Sequence, residues 1–375
     1  MDYKRVLSRR DFLKLSAGST AALGLVLFKF PSFEKLFVAS VAEVPVLWIQ
    51  AGSCTGCSVS ILNSLSPRIQ EVLVSPVVPG KHISLRFHPT VMAGQGEIAL
   101  QAIDDTAKNK GGYVLVVEGA VSTKDNGIYC EVGEANGQGV TALEKVVALG
   151  RDAMAVIALG ACAFGGIPAS GPNTTGCKSV GQILKDNAIN TPIVNLPGCP
   201  PHPDWFVGTV ATVLIGGLSA VELDDMGRPT AFYGKLIHDN CPRRGYFDQG
   251  LFAKNYSEPY CMFKLGCKGP VTYSDCPTRM WNSGTNWCVG ANSPCIGCCN
   301  PSFPDVVAPF RKVEQLQALT PPSWLPTAEK QPKGMNPGLA AGIGAAAGIA
   351  VGATAMGVAK RNAKSEAKPE EKTEG

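Results

Sequence analysis

Charge is scarce in this chain: only 17% of its 375 residues are Asp, Glu, Lys or Arg, against 45% hydrophobic, and the net charge is +4. No stretch of the body concentrates Lys and Arg with aromatic residues as a nucleic-acid surface does, which excludes nucleic acid as a partner. An internal repeat is lacking too, and so is any constellation of catalytic acid, base and nucleophile. The low charge and high apolar content exclude disorder, and the length predicts two domains with flanking segments. What the chain has in quantity is Gly (42), Pro (28) and Cys (14). So many cysteines must be disulfides, metal ligands or both.

The two ends of the chain bear on that choice. Ser8-Arg9-Arg10-Asp11-Phe12-Leu13-Lys14, followed by the mostly apolar run Leu15 to Phe28, reads as a twin-arginine export signal. Small residues at Ser40 and Ala42 place its cleavage after Ala42, so residues 1–42 are set apart from the fold; the rival reading is a retained membrane anchor. This export route carries proteins already folded, which favours metal centres assembled in the reducing cytoplasm over disulfides. At the other end, Leu339 to Ala359 is an uncharged run long enough to cross a bilayer, with Gly344, Gly348 and Gly352 every four residues. Lys360, Arg361 and Lys364 outnumber Lys330 and Lys333, which directs the 360–375 tail to the cytoplasm. A flexible Gly/Ala linker is the alternative. Residues 311–338 read as a Pro-containing linker.

Between the ends, apolar runs at Val44 to Gln50, Ser84 to His88, Tyr113 to Val117, Ala153 to Leu159 and Pro192 to Leu196 read as strands. Helix-like segments fall at Ser58 to Leu65, Gly96 to Lys108, Val140 to Leu149, Ser179 to Asn187 and Trp205 to Leu218. The alternation predicts an α/β fold with a parallel sheet covered on both faces over residues 43–222. From Leu223 the periodicity fades into a region dense in Cys, Pro, Gly and aromatics, which cannot build an ordinary core and predicts metal crosslinks over residues 223–310.

The cysteines fall into three groups. Cys54 and Cys57, Cys162, and Cys199 each lie just beyond a predicted strand, where open α/β sheets bind ligands, and together form a four-thiolate set. His238 and Cys241 are followed by Cys261 and Cys267, one imidazole with three thiolates. Cys276, Cys288, Cys295 and Cys298 supply three or four thiolates for a third site. Iron-sulfur clusters and structural zinc compete for such sets; three sites without catalytic machinery favour electron transfer.

With these residues in view, the sequence from about Val46 to Pro309 closely resembles the small subunits of exported, membrane-bound nickel-iron uptake hydrogenases. The resemblance is carried by Cys54-Thr-Gly-Cys57-Ser58, Gly160-Ala-Cys162, Pro197-Gly-Cys199-Pro-Pro201, His238-x-x-Cys241, Gly266-Cys267-Lys-Gly-Pro270 and Pro294-Cys295-Ile-Gly-Cys298. It implies a flavodoxin-like N-terminal domain. It implies a proximal 4Fe-4S cluster on Cys54, Cys57, Cys162 and Cys199, a distal 4Fe-4S cluster on His238, Cys241, Cys261 and Cys267, and a medial cluster on Cys276, Cys295 and Cys298. It also implies a partner large subunit holding the nickel-iron centre, heterolytic cleavage of H2 there, and an acceptor that is a membrane quinone-reactive or cytochrome partner on the periplasmic side. The alternative is a membrane-anchored iron-sulfur carrier or metal-binding protein with no catalytic partner.

Two positions depart from the commonest family pattern. Many members carry a proline and a 3Fe-4S medial cluster where this chain has Cys288, so Cys288 is expected to complete a 4Fe-4S cluster; a bystander thiol is the alternative. Gly56 and Ile167 stand where some oxygen-tolerant relatives carry two extra cysteines, so the proximal cluster is expected to be an ordinary four-cysteine cubane. Cys130 and Cys177 read as packed small hydrophobes, and Cys299 as the neighbour of a ligand. Glu118, Glu131 and His202 lie near the cluster loops as candidates for supporting hydrogen bonds or proton movement, with ordinary polar contacts as the rival reading.

Overall fold

The computed structural model describes residues 42–64, 68, 71, 81–166, 173–301, 303 and 304. The expected signal segment up to residue 41, Ile167, the linker, the apolar run 339–359 and the charged tail lie outside the described residues. Five parallel strands form the main sheet: β1 (Ala42–Gln50), β2 (Lys81–Phe87), β3 (Val114–Glu118), β6 (Ala155–Leu159) and β7 (Ile193–Leu196), in the order β2-β1-β3-β6-β7. Counted within the sheet this is the order 2-1-3-4-5 of flavodoxin-like folds.

The central strands β3 and β6 are almost wholly apolar and buried because both faces are covered, and their period of two divides their residues between two cores. Val46, Trp48, Val114, Val116, Ile157 and Leu159 face one side; Leu47, Ile49, Leu115, Val117, Val156 and Ala158 face the other. The second side packs under α2 (Gly96–Ala107), α3 (Ala142–Asp152) and α5 (Val180–Asp186) through Leu100, Ile103, Val146, Leu149, Ile183 and Leu184. Two of these helices start on side-chain caps that satisfy an orphan backbone N–H: Thr141 accepts from Glu144 and Ser179 from Gln182.

On the first side lie α1 (Gly56–Leu62) and α6 (Pro203–Gly216), with Ile61, Trp205, Phe206 and Leu214 buried. The same apolar cluster continues past residue 222 into Tyr233, Ile237, Met262, Leu265, Trp287 and Val289. The C-terminal region therefore completes the core over one face of the sheet. Its own α-helices are single turns: α7 (Thr230–Tyr233), α8 (Arg244–Asp248) and α9 (Cys276–Arg279).

Each of the five expected strands is present, with ends shifted by a few residues. Two features differ from the sequence reading. Val140 and Thr141, expected in a helix, end strand β5 (Gln138–Thr141), which pairs with β4 (Glu131–Ala135) around Asn136-Gly137. Both turn residues have positive φ, 53° and 72°, the conformation that makes Asn-Gly a tight hairpin turn. Cys162 lies within a short helix, α4 (Gly160–Gly165), in place of a simple loop.

Leu115 is fully buried at the centre of the sheet. Truncation to Ala is expected to cost about 2–5 kcal/mol of stability, measured as a lowered denaturant midpoint of the intact protein with unchanged iron content.

Candidate cluster sites

The first site grows from the carboxyl ends of the central strands. β1 runs into the turn bearing Cys54, where Thr55 takes a positive φ of 65° before α1 begins and carries Cys57. β6 delivers Cys162 on α4, and β7 delivers Cys199. The sulfurs of Cys54, Cys162 and Cys199 all act electrostatically on Cys57, so the four converge at one end of the sheet. Gly160, at φ +90°, allows the approach: a Cβ there would lie 2.5 Å from the Cys57 sulfur.

β3, between the ligand-bearing strands β1 and β6, ends in Glu118, which is completely buried. Its carboxylate accepts hydrogen bonds from the backbone N–H groups of Cys57 (3.2 Å) and Ser58 (3.4 Å), from Trp48 Nε1 (3.0 Å) and from the Ser58 hydroxyl (2.5 Å). The Thr90 N–H donates to His88 Nδ1 at 3.1 Å, which leaves the ring proton on Nε2 to donate to Ser58 Oγ at 3.1 Å. His88, Ser58 and Glu118 thus form one chain of hydrogen bonds beneath the first loop. Burial first, and Glu118 second, push the Cys57 thiol well above its usual range; burial and the neighbouring Cys199 raise Cys162 to about 11.

At the second site His238, Cys241, Cys261 and Cys267 line one cavity. His238 follows Ile237 on a 3-10 turn, and Phe247 packs against the imidazole with ring centroids 4.5 Å apart. His238 Nε2 is the only buried side-chain nitrogen or oxygen among the described residues with no hydrogen-bond partner. Such an atom is costly unless something outside the protein satisfies it, and burial also lowers the ring's pKa, keeping it in the neutral form that ligates.

The third set lines a cavity of about 330 Å³: Cys276, Cys288, Cys295 and Cys298, with Trp281 and Trp287 in the wall. Cys288 is exposed toward this space, unlike a thiol packed for its own sake. Burial raises Cys276 to about 12, with Cys298 and Cys288 adding to it. The loops of the first and third sites interlock. Cys199 borders the third cavity; the hydroxyl of Tyr233 donates to Pro197 O at 2.8 Å, and buried Arg228 donates to Cys299 O at 3.0 Å while paired with Asp224.

Among the described residues, no three His, Cys, Asp or Glu side chains stand close enough to share a single metal ion. The second and third sets line cavities, a setting with room for a group larger than one ion. The donor chemistry, the glycine cradle at Gly160 and the orphaned nitrogen of His238 fit iron-sulfur clusters.

Of the remaining cysteines, Cys177 and Cys299 are buried and Cys130 is half-buried against the second core. Glu131 is exposed on β4. His202 caps α6, accepting from Asp204 N–H, and pairs through Nε2 with Met280 O at 2.8 Å. The sequence reading did not identify Ser58, His88 and Arg228 as parts of these sites. Only their placement beside Cys57 and Cys299 shows their roles; an acidic residue ending the apolar run Val114–Val117 was the one visible signal of the buried network.

Residues 233–311 match the family of C-terminal regions of NiFe/NiFeSe hydrogenase small subunits. Residues 54–213 match NADH ubiquinone oxidoreductase, 20 Kd subunit, and residues 6–26 the TAT (twin-arginine translocation) pathway signal sequence. The periplasmic NiFeSe hydrogenase small subunit of Desulfomicrobium baculatum is 46% identical over 82% of this chain and 99% of its own length. The quinone-reactive Ni/Fe-hydrogenase small chain of Wolinella succinogenes is 37% identical over 82% and 84%. Among solved structures, NiFeSe hydrogenase from Desulfovibrio vulgaris Hildenborough matches with a TM-score of 0.68 at 46% identity, covering 72% of this chain and 98% of that one.

The buried His88 carries a pKa lowered first by burial. The unfolded chain therefore takes up a proton more readily than the folded one. Its contribution to stability is complete above the unfolded value of about 6.5 and is lost as pH falls through that value toward the lowered folded one. His88→Gln is expected to reduce the loss of stability between neutral and mildly acidic pH, read from denaturant midpoints at each pH.

Proposed function

The chain belongs to the small-subunit family of NiFe and NiFeSe hydrogenases, and from that membership we propose that it carries electrons from H2 oxidation through three iron-sulfur clusters to a membrane-linked acceptor. It is the electron-transfer subunit of an oxidoreductase whose catalytic site is in the large subunit, and it bears a signal for periplasmic export. The observation that supports the cluster assignment is the convergence of Cys54, Cys162 and Cys199 on Cys57, together with one cavity lined by the four ligands of the second set and another lined by the four of the third.

On this reading Cys54, Cys57, Cys162 and Cys199 hold the proximal 4Fe-4S cluster, His238, Cys241, Cys261 and Cys267 the distal one, and Cys276, Cys288, Cys295 and Cys298 a medial 4Fe-4S cluster. When bound, the clusters supply one-electron carriers. The protein's part is to hold them in order, to bury them, and to set their potentials. His238 brings a neutral ligand where thiolate is anionic, which raises the potential of its site relative to an all-thiolate one. Cys288, open to the third cavity, provides a fourth sulfur there. Identity of 46% to a NiFeSe small subunit, against 39% and 37% for two periplasmic NiFe ones, favours a NiFeSe-type large subunit as partner.

We place the apolar run Leu339 to Ala359 in the membrane as a single anchoring helix, supported by its length and lack of charge. Among the described residues no helix is long and apolar enough to cross a membrane. The quinone-reactive name of the Wolinella relative supports a quinone-linked acceptor, with a periplasmic cytochrome as the second choice.

Three measurements test this reading. The purified complex is expected to contain nickel and about thirteen irons per heterodimer, twelve in the three clusters and one in the nickel-iron centre; absence of nickel and of a copurifying large subunit would show a carrier without a catalytic partner. Oxidised wild-type protein should lack a three-iron paramagnetic resonance signal, and Cys288→Ser should create one; a strong signal in the wild type would remove Cys288 from the ligand set. Truncation after Lys333 should move the complex from the membrane fraction to the soluble periplasmic fraction with its clusters intact.

A further inference from the structure

The second and third sites touch through the chain itself. Cys267, assigned to the distal site, is followed by Lys268, whose backbone N–H donates to Cys295 O at 2.8 Å. In return the N–H of Cys295, assigned to the medial site, donates to the sulfur of Cys267 at 3.4 Å. Lys268 O accepts from Thr272 Oγ1 at 2.8 Å and from Val271 N–H at 3.1 Å, so the residue is fixed at both its backbone groups.

The side chain lies in the same seam. Its stem crosses Gly297, where a Cβ would come within 3.0 Å of Lys268 Cδ and 3.2 Å of its Cβ; with φ at +75°, that position takes glycine for two reasons. Lys268 is half-buried, and its stem, which starts beside Cys267 and crosses Gly297 between Cys295 and Cys298, carries the ammonium along the seam between the two sites.

We propose that Lys268 is a positioning residue shared by the medial and distal sites, tying Cys267 to Cys295 through its backbone and raising the reduction potential of both through its charge. The inference rests on the assignment of Cys267 and Cys295 to different clusters. Adding an electron makes each centre more negative, and a fixed cation in the seam stabilises that state at both.

The test is a potentiometric titration of the purified holo-complex followed by paramagnetic resonance, with iron content measured on every sample. Lys268→Met keeps the stem over Gly297 and removes the charge; Lys268→Arg keeps the charge. K268M should lower the medial and distal potentials by a three- to tenfold change in each one-electron equilibrium, tenfold being 59 mV, and leave the proximal potential nearly unmoved. K268R should stay near the wild type. Unshifted potentials in K268M, a shift at one site only, or an equal shift at the proximal site would overturn the proposal. Loss of iron from K268M and from Lys268→Gln, with K268R intact, would show a role in assembly alone and also overturn it. Failure of the cluster assignment is distinguishable, because it appears as missing or misplaced centres in the wild-type titration before any variant is compared.

Discussion

Burial opposes ionisation at nearly every thiol of the three sites, and the rest of the molecule is arranged around that conflict. A thiol must lose its proton to bind iron, yet Cys57, Cys162, Cys276 and Cys295 are all held above the usual range chiefly by desolvation. In the proposed function iron would resolve the conflict by taking the proton's place. Cys298 moves the other way, drawn down first by a hydrogen bond from Cys299, which buries its own thiol beside it. With their protons the cysteines pack as an apolar lining, and as the proposed ligands they would give those protons up to metal. This explains how a segment whose helices are single turns can contribute Cys276, Cys295 and Cys299 to the main core.

Glu118 is the counterpart of that lining, a buried carboxylate surrounded by donors. It fixes the turn carrying Cys57 by taking two of the backbone N–H groups at the start of α1, groups that no helical carbonyl can reach. Trp48 and Ser58 satisfy its other oxygen, and His88 supports Ser58 from beneath. The first site therefore depends on a network spanning β1, β3 and the residues after β2. A change at any member would be felt at Cys57.

Much of the fold was legible in the sequence because parallel strands buried on both faces leave apolar runs, nearly unbroken in β3 and β6 and interrupted by polar residues in the edge strands β2 and β7. The ends of those runs located Cys54, Cys57, Cys162 and Cys199, since chain direction puts every carboxyl end on one edge. Spacing grouped His238 with Cys241 and Cys295 with Cys298. The hairpin at Asn136-Gly137 was missed although its turn pair is a strong local signal, because Val140 leads directly into the helical pattern of α3. The partners of Glu118 were beyond reach for another reason. Trp48, Ser58 and His88 meet only after the sheet forms, and no local pattern records contacts made over such separations. The same holds for Lys268, whose neighbour Gly297 lies on a different loop.

The apolar cluster that runs from Val46 through Trp205 to Trp287 and Cys299 has a consequence for biogenesis. Neither the sheet nor the cysteine-rich region can bury its half of this core alone, so the two must close on each other before the interior is dry. An export pathway that accepts folded cargo then inspects both halves by inspecting shape. A chain whose cysteine-rich region had not closed over the sheet would present an open greasy face to the translocation machinery, and the twin arginines at one end would act as an address honoured only after the far end is finished.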